Sequence, residues 1–219
     1  MASKTLRKEL RRPDEFVTAT NWALHYVQGH QRLAAWAAGG VIALILAGIA
    51  IVSFRHTRME QANTNLARAI ALFNENKLPE AIKAFDDMAS QTSNPEEFVE
   101  IARLYSAQSQ LKLGEFARAG AGFDGVEGGL EGFLAQRALL NHAFALEGNQ
   151  QFEDAARHFG QAASAGGPYT ATAVLGEARN WDRAGDKAKA KDTYQKYANQ
   201  YPDAPEKAVV EARLAALSQ

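Results

Sequence analysis

The 219-residue chain contains no cysteine, and this absence excludes several kinds of chemistry. Disulfides, thiol catalysis, a lipidated cysteine and zinc–cysteine sites all require that side chain. The five histidines form no metal-binding spacing such as HExxH. No glycine-rich phosphate loop and no Gly-x-Ser-x-Gly nucleophile motif occurs in the sequence either. The sequence therefore predicts a protein that is not an enzyme and that has no cofactor or metal site.

Charge is missing from one long stretch near the start of the chain. Residues 33–54 read LAAWAAGGVIALILAGIAIVSF, and Arg32 and Arg55 lie at its two ends. As a helix, this stretch spans roughly 33 Å, which is enough for a hydrocarbon core of about 30 Å. A cleaved signal peptide has a shorter apolar region and a small-x-small cleavage site, which this sequence lacks. The sequence predicts a leader (1–32), a single transmembrane helix (33–54) and a domain (55–219).

The charges on the two sides of this stretch differ in sign. Residues 1–32 carry six Lys/Arg and three Asp/Glu, whereas residues 55–219 carry 18 and 22. The larger number of basic residues in the leader favours a cytoplasmic N-terminus, with the domain on the opposite side of the membrane. The domain is mildly acidic, and this makes it a poor nucleic-acid binder.

Two features of the membrane region leave alternatives open. Pro13 with two acids after it begins a predicted short amphipathic helix. This helix could bind the inner leaflet or a partner, or Trp22 and Tyr26 could simply lie at the interface. Small residues at four-residue spacing predict a face for packing against another membrane helix, including that of a second copy, unless they only reflect the usual abundance of Gly and Ala. These packing residues are Gly39, Ala43 and Ala47.

The domain contains an internal repeat. Four windows, spaced by 38, 36 and 35 residues, each contain two alanines twelve residues apart, with an aromatic residue four residues after the second. The alanines allow two antiparallel helices to approach closely, and the aromatic packs against the next helical hairpin. The alanine pairs are Ala69/Ala81, Ala107/Ala119, Ala143/Ala155 and Ala178/Ala190, the aromatics are Phe85, Phe123, Phe159 and Tyr194, and the predicted turns are 76–77, 114–115, 150–151 and 185–186.

These windows resemble the tetratricopeptide repeat, most clearly at residues 72–85 and 178–194. They predict an all-α chain, in which the transmembrane helix is followed by an α-solenoid of about four helical hairpins. A final amphipathic helix at residues 206–217 is predicted to cap the solenoid. Several glycines between residues 120 and 132 predict a short second helix in the second repeat. No glycine or proline occurs between Ile49 and Leu78, so the transmembrane helix is predicted to continue into the first repeat.

In the tetratricopeptide family, the first helix of each hairpin lines a concave groove. That resemblance implies an unusually apolar groove, which suits unfolded or amphipathic segments of other proteins. The alternative is that its leucines belong to the core, as an apolar stripe at helical spacing usually does. The candidate partner-binding residues are Leu66, Ile70, Phe73, Leu104, Gln108, Leu111, Leu140, Phe144, Leu175 and Arg179.

The layout and the sequence together resemble the bacterial ancillary Sec-translocon subunit family, most closely from residue 123 to residue 159. The resemblance implies a single-pass inner-membrane protein with a cytoplasmic N-terminus and a periplasmic repeat domain. It also implies that the partners are export-channel subunits, periplasmic chaperones or client polypeptides. The residues themselves predict an anchored protein–protein interaction module. The alternative is a structural scaffold subunit of another envelope complex, in secretion, division or envelope assembly.

Overall fold

The computed structural model describes residues 31–126 and 128–218, and within these ranges the regular structure is all α-helical. The predicted amphipathic helix of the leader lies outside the described residues. The described helices are α1 (Gln31–Asn74), α2 (Leu78–Ser90), α3 (Glu96–Lys112), α4 (Phe116–Asp124), α5 (Gly132–Gly148), α6 (Phe152–Ser164), α7 (Thr170–Arg183), α8 (Lys187–Gln200) and α9 (Lys207–Ala216).

Helix α1 has 44 residues and covers both the uncharged stretch and the first helix of the repeats. The predicted continuation of the helix past the apolar stretch is therefore confirmed. Its large apolar side chains before Arg55, among them Trp36 and Leu44, are more than half exposed. Because a core helix of a soluble protein would bury such side chains, this exposure fits a lipid-facing surface. By length and composition, the helix can cross a membrane. The chain divides into two compact units between His56 and Thr57.

The alanine and aromatic frame forms the interior of the second unit. All eight frame alanines are at most 1% exposed, and Phe85, Phe123 and Phe159 are completely buried. Tyr194, the fourth aromatic, is 6% exposed. Each aromatic side chain therefore fills the space that the small alanines leave between neighbouring helices. The sequence predicted this packing correctly from spacing alone.

The four hairpin turns share one backbone geometry. Each first helix ends at a residue with positive φ: 59° at Asn76, 79° at Gly114, 61° at Gln150 and 85° at Gly185. The next backbone N–H donates to a carbonyl five residues earlier, as from Lys77 to Leu72 at 2.9 Å. This hydrogen bond closes a Schellman-type helix end, in which glycine or an amide residue tolerates the left-handed conformation.

The structure also confirms the predicted short helix of the second repeat and the predicted C-terminal capping helix. Helix α4 has nine residues and is the shortest described helix, as its glycines predict. A Cβ on Gly122 would lie 2.9 Å from Cβ of Ala107, so this glycine lets α4 approach α3 closely. At the other end of the repeats, α9 buries Val210 against the last core cluster, with Leu214 and Leu217 half-buried beside it. Helix α9 is therefore the predicted cap.

Candidate partner-binding groove

The structure separates the ten predicted groove residues into two groups. Four of them are buried: Leu66, Leu104 and Leu140 belong to the apolar core, and Gln108 is a buried polar side chain. A partner cannot contact the three leucines without displacing the core, so their placement fits the alternative that the leucine stripe packs inside. The other six are half-exposed, and a partner could reach them: Ile70, Phe73, Leu111, Phe144, Leu175 and Arg179.

Side chains from three first helices surround an open cavity of about 180 Å³. Helix α1 contributes one lining residue, α3 contributes three and α5 contributes two. We call this cavity the first-helix groove. Its lining residues are Phe73, Gln108, Leu111, Lys112, Arg137 and Asn141.

Aromatic and cationic contacts fix the walls of the first-helix groove. Phe73 packs edge-on against Tyr105, with ring centroids 5.4 Å apart. Nζ of Lys112 lies 4.3 Å from the centroid of the Phe73 ring, and the guanidinium of Arg137 lies 5.0 Å from that of Tyr105. Such cation–π contacts hold a cation over an apolar wall without neutralising its charge. The groove therefore combines an apolar wall with two positive charges.

The hydrogen bonds of the groove leave one buried donor without an acceptor. Nη2 of Arg137 donates to Oε1 of Gln108 at 2.6 Å, and Nη1 donates to the Tyr105 hydroxyl at 3.4 Å. Nε2 of Gln108 is buried and has no hydrogen-bond partner. Leaving a buried donor unpaired costs about 1 to 3 kcal/mol, so an acceptor from outside would be favourable here. Neither Lys112 nor Arg137 forms an ion pair with a carboxylate of the described residues.

A second charged cluster lies between α5 and α7. The carboxylate of Glu147 accepts two hydrogen bonds from Arg179, at 3.0 and 2.6 Å, and one from Arg183 at 2.6 Å. The Glu147 side chain is only 12% exposed. A bidentate arginine pair with an almost buried carboxylate is a strong, well-oriented interaction. Arg179, a predicted groove residue, is thus already occupied by the chain itself.

Sequence reasoning missed Tyr105, Lys112, Arg137 and Asn141. Lys112 follows Leu111 directly, so a search for exposed cations near the predicted groove residues would have found it. Arg137 and Asn141 precede the frame alanine Ala143, and only the stacking of α5 on α3 brings them beside Gln108. No spacing rule in the sequence gives that contact.

Two histidines meet outside the groove, at the junction of α4, α5 and α6. The rings of His142 and His158 lie 4.3 Å apart by centroid, and Nε2 of His142 lies 3.7 Å from Oδ1 of Asp124. Within residues 31–126 and 128–218, no group of three or more His, Asp or Glu side chains could hold a metal ion. We interpret the pair as packing of the second hairpin on the third.

Two of the titratable groups whose pKa values burial raises lie in the last repeat. Burial raises the pKa of the Glu177 carboxyl, against the opposing effect of the Trp181 indole N–H, which lies 3.5 Å away. Burial, together with donation of the hydroxyl to Glu206, raises the pKa of Tyr197 to about 12. Because neither group faces the first-helix groove, the shifts reflect packing at the capped end of the solenoid.

Comparison with known proteins supports the repeat architecture. A tetratricopeptide-repeat family model matches residues 172–204, which form most of α7 and α8 and the segment after them. A crystal structure of a protein from Podosopora anserina, described as a kinesin light chain with nearly identical TPR-like repeats, has a similar fold. The TM-score is 0.56 at 13% identity, over 72% of this chain and 85% of the other. No curated protein matches the sequence.

The fold and the comparisons agree with one another. At this level of identity, the structural similarity shows the fold alone. The matched family model adds that the last hairpin and the segment after it form a tetratricopeptide repeat. Such repeats are typically non-catalytic scaffolds for protein–protein interaction. The chain therefore contains a tetratricopeptide repeat at residues 172–204. Its described residues have an all-α, TPR-like fold, and α1 is long and apolar enough to cross a membrane.

Proposed function

We propose that this protein is a membrane-anchored interaction module that works beside the Sec protein-export channel. In this proposal, residues 33–54 anchor the chain in the membrane. The repeat domain (55–219) binds periplasmic chaperones or emerging client polypeptides. The observation that carries the binding role is the first-helix groove, an open cavity with apolar walls and two cations. Beside this cavity, the buried Nε2 of Gln108 has no hydrogen-bond partner. The resemblance to the ancillary Sec-translocon subunits supports the export channel as the place of action.

The half-exposed predicted residues extend the proposed binding surface along the solenoid. Ile70 and Phe73 on α1, Leu111 on α3, and Phe144 on α5 would contact apolar side chains of a bound segment. Phe144 packs edge-on against Phe159 at 5.0 Å, so its exposed part rests on a rigid support. A rigid apolar surface beside fixed cations suits extended segments that carry both apolar and acidic residues.

The proposal includes an orientation, with the leader in the cytoplasm and the domain in the periplasm of a bacterial cell. The six basic residues before the apolar stretch support this orientation. A reporter that is active only in the periplasm, fused after Gln219, should be active. Activity of a cytoplasm-only reporter at the same position would reject the orientation.

Co-purification tests the place of action. We expect the full chain, extracted from its native membrane in mild detergent, to retain export-channel subunits together with periplasmic chaperones. As a control, a variant with residues 33–54 replaced by an unrelated transmembrane helix shows whether the domain itself carries partners. Recovery of a different envelope complex, with no channel subunit, would reject the export role.

A structural scaffold in another envelope complex is the second candidate. The small-residue face of α1 supports it, because Gly39 has no atom near the position of a Cβ and its neighbourhood is open. Gly39, Ala43 and Ala47 would pack against another membrane helix, either of a partner or of a second copy. In that case, the complex recovered from membranes would depend on α1 and not on the groove.

A further inference from the structure

The repeat frame has a position that holds a carboxylate at the α5–α7 junction and no carboxylate at the α1–α3 junction. The residues that meet between α5 and α7 have fixed places in the repeat frame. Glu147 follows the frame alanine Ala143 by four residues, and Arg179 and Arg183 follow Ala178 by one and five. There the Glu147 carboxylate joins both arginines at distances of 2.6 to 3.0 Å.

The same three frame positions recur between α1 and α3 with one decisive difference. Phe73 follows Ala69 by four residues and so takes the place of Glu147. Gln108 and Lys112 follow Ala107 by one and five residues, in the places of the two arginines. Hydrogen-bond donors thus remain at both places, although an amide replaces one of the two cations, while the carboxylate is replaced by a phenyl ring.

The donors at the α1–α3 junction have the geometry of a site that lacks its acceptor. Lys112 lies over the Phe73 ring at 4.3 Å instead of pairing with a carboxylate. Arg137 binds Oε1 of Gln108 at 2.6 Å. This bond fixes the amide so that Nε2 is the free end. Nε2 is buried without a partner, and the Gln108 side chain is 95% removed from solvent, at 5% exposure.

We propose that the first-helix groove binds the carboxylate of an Asp or Glu side chain in an extended, otherwise apolar segment of a partner polypeptide. This carboxylate takes the role that Glu147 has at the α5–α7 junction. It accepts from Gln108 Nε2 and pairs with Lys112 and Arg137. The proposal rests on the proposed function, since it names the chemistry of the polypeptide that the domain binds.

The surroundings of the groove favour such a segment over other anions. Phe73 and Leu111 are apolar walls, which accept the aliphatic neighbours of an acidic residue. The cavity of about 180 Å³ has room for a side chain and not for a folded domain. Residues 55–219 carry more Asp/Glu (22) than Lys/Arg (18), and this excess repels nucleic acids and other polyanions. A single carboxylate beside apolar groups avoids that repulsion.

Peptide binding tests the proposal directly. The full chain in lipid nanodiscs is titrated against an acetylated, amide-capped Ala-Leu-Glu-Leu-Ala peptide that carries a neutral dye, and fluorescence anisotropy reports binding. Because a charge-assisted hydrogen bond to a buried donor is lost, we expect the Gln version of the peptide to bind at least about tenfold more weakly. High salt should weaken binding of the Glu peptide more than binding of the Gln peptide.

Variants of the protein isolate the carboxylate position. Phe73→Glu supplies the missing carboxylate within the chain, so it should fill the site and abolish binding of the Glu peptide. Phe73→Gln is the matched control, because it removes the same ring without adding charge, and it should lose clearly less affinity. Lys112→Ala should weaken binding. Arg118→Ala makes the same charge change on α4, outside the groove, and should leave binding unchanged.

Several results would overturn the proposal. Equal binding of the Glu and Gln peptides would mean that the groove is only an apolar surface. Preference for a Gln peptide with a free C-terminal carboxylate would assign the site to chain ends, and displacement of the Glu peptide by inorganic phosphate would make it a general anion site. Equal losses in Phe73→Glu and Phe73→Gln would also reject it. Because co-purification of channel subunits is measured separately, failure here leaves the proposed function standing.

Discussion

Replacing Phe159 with alanine should lower the free energy of unfolding by about 3 to 5 kcal/mol. The ring is completely buried in the cluster that joins the third and fourth hairpins. Removing it leaves a cavity beside small neighbours, among them Ala143, Ala155 and Ala173, whose side chains are too short to fill the space. Chemical unfolding of the full chain in detergent, followed by the helical circular-dichroism signal, measures the change.

Phe133→Ala is the matched control for this prediction. The Phe133 ring is 49% exposed and touches Tyr169, with ring centroids 5.7 Å apart. Its removal creates no enclosed cavity, so the loss should stay below about 1 kcal/mol. Equal losses in the two variants would mean that the aromatic of the repeat frame does not fill the core as described.

Replacing Gly176 with alanine should destabilise the protein even though alanine is the better helix former. A Cβ at this position would lie 2.6 Å from Cδ1 of Phe159, whose ring is enclosed on all sides. Overpacking of this kind costs about 1 to 3 kcal/mol. The gain in helix propensity is about 1 kcal/mol and offsets only part of it. The same unfolding measurement reports the net loss.

Gly120→Ala is the same substitution at another glycine, and here we expect the protein to become more stable. Gly120 lies within α4, and a Cβ there would meet nothing closer than Nε2 of His142 at 4.0 Å. Without a clash, the helix propensity of alanine remains, so the variant should be more stable by roughly 0.5 to 1 kcal/mol. Stabilisation in both variants would contradict the close approach of α7 to Phe159.

The fold was predictable because the repeat frame is local and periodic. Each frame alanine, aromatic and turn residue occupies a fixed place along the chain, and close helix packing leaves few alternatives for small and aromatic residues in those places. The turn at Asn76 illustrates this point: an amide residue at a helix end predicts the left-handed conformation, and φ is 59° there. The ability of α1 to cross a membrane was equally predictable, because a run of 22 uncharged, mostly apolar residues is typical of a membrane-spanning helix.

The groove was only partly predictable, because it depends on contacts between repeats. Half-exposed Phe73 and buried Leu104 lie on the same kind of helical face, and periodicity cannot tell them apart. The position of Arg137 beside Gln108 follows from how α5 stacks on α3, which the sequence pattern does not specify. The comparison of Phe73 with Glu147 needed both the repeat frame and the observed ion pairs of Glu147.

The central claim is that this protein binds other proteins through the first-helix groove. Quantitative co-purification from native membranes, comparing the unaltered chain with Phe73→Glu and Arg118→Ala, tests it most directly. We expect the unaltered chain and Arg118→Ala to retain the same export-channel and chaperone partners, and Phe73→Glu to lose those that bind through the groove. Full retention of every partner by a folded Phe73→Glu variant would contradict the claim.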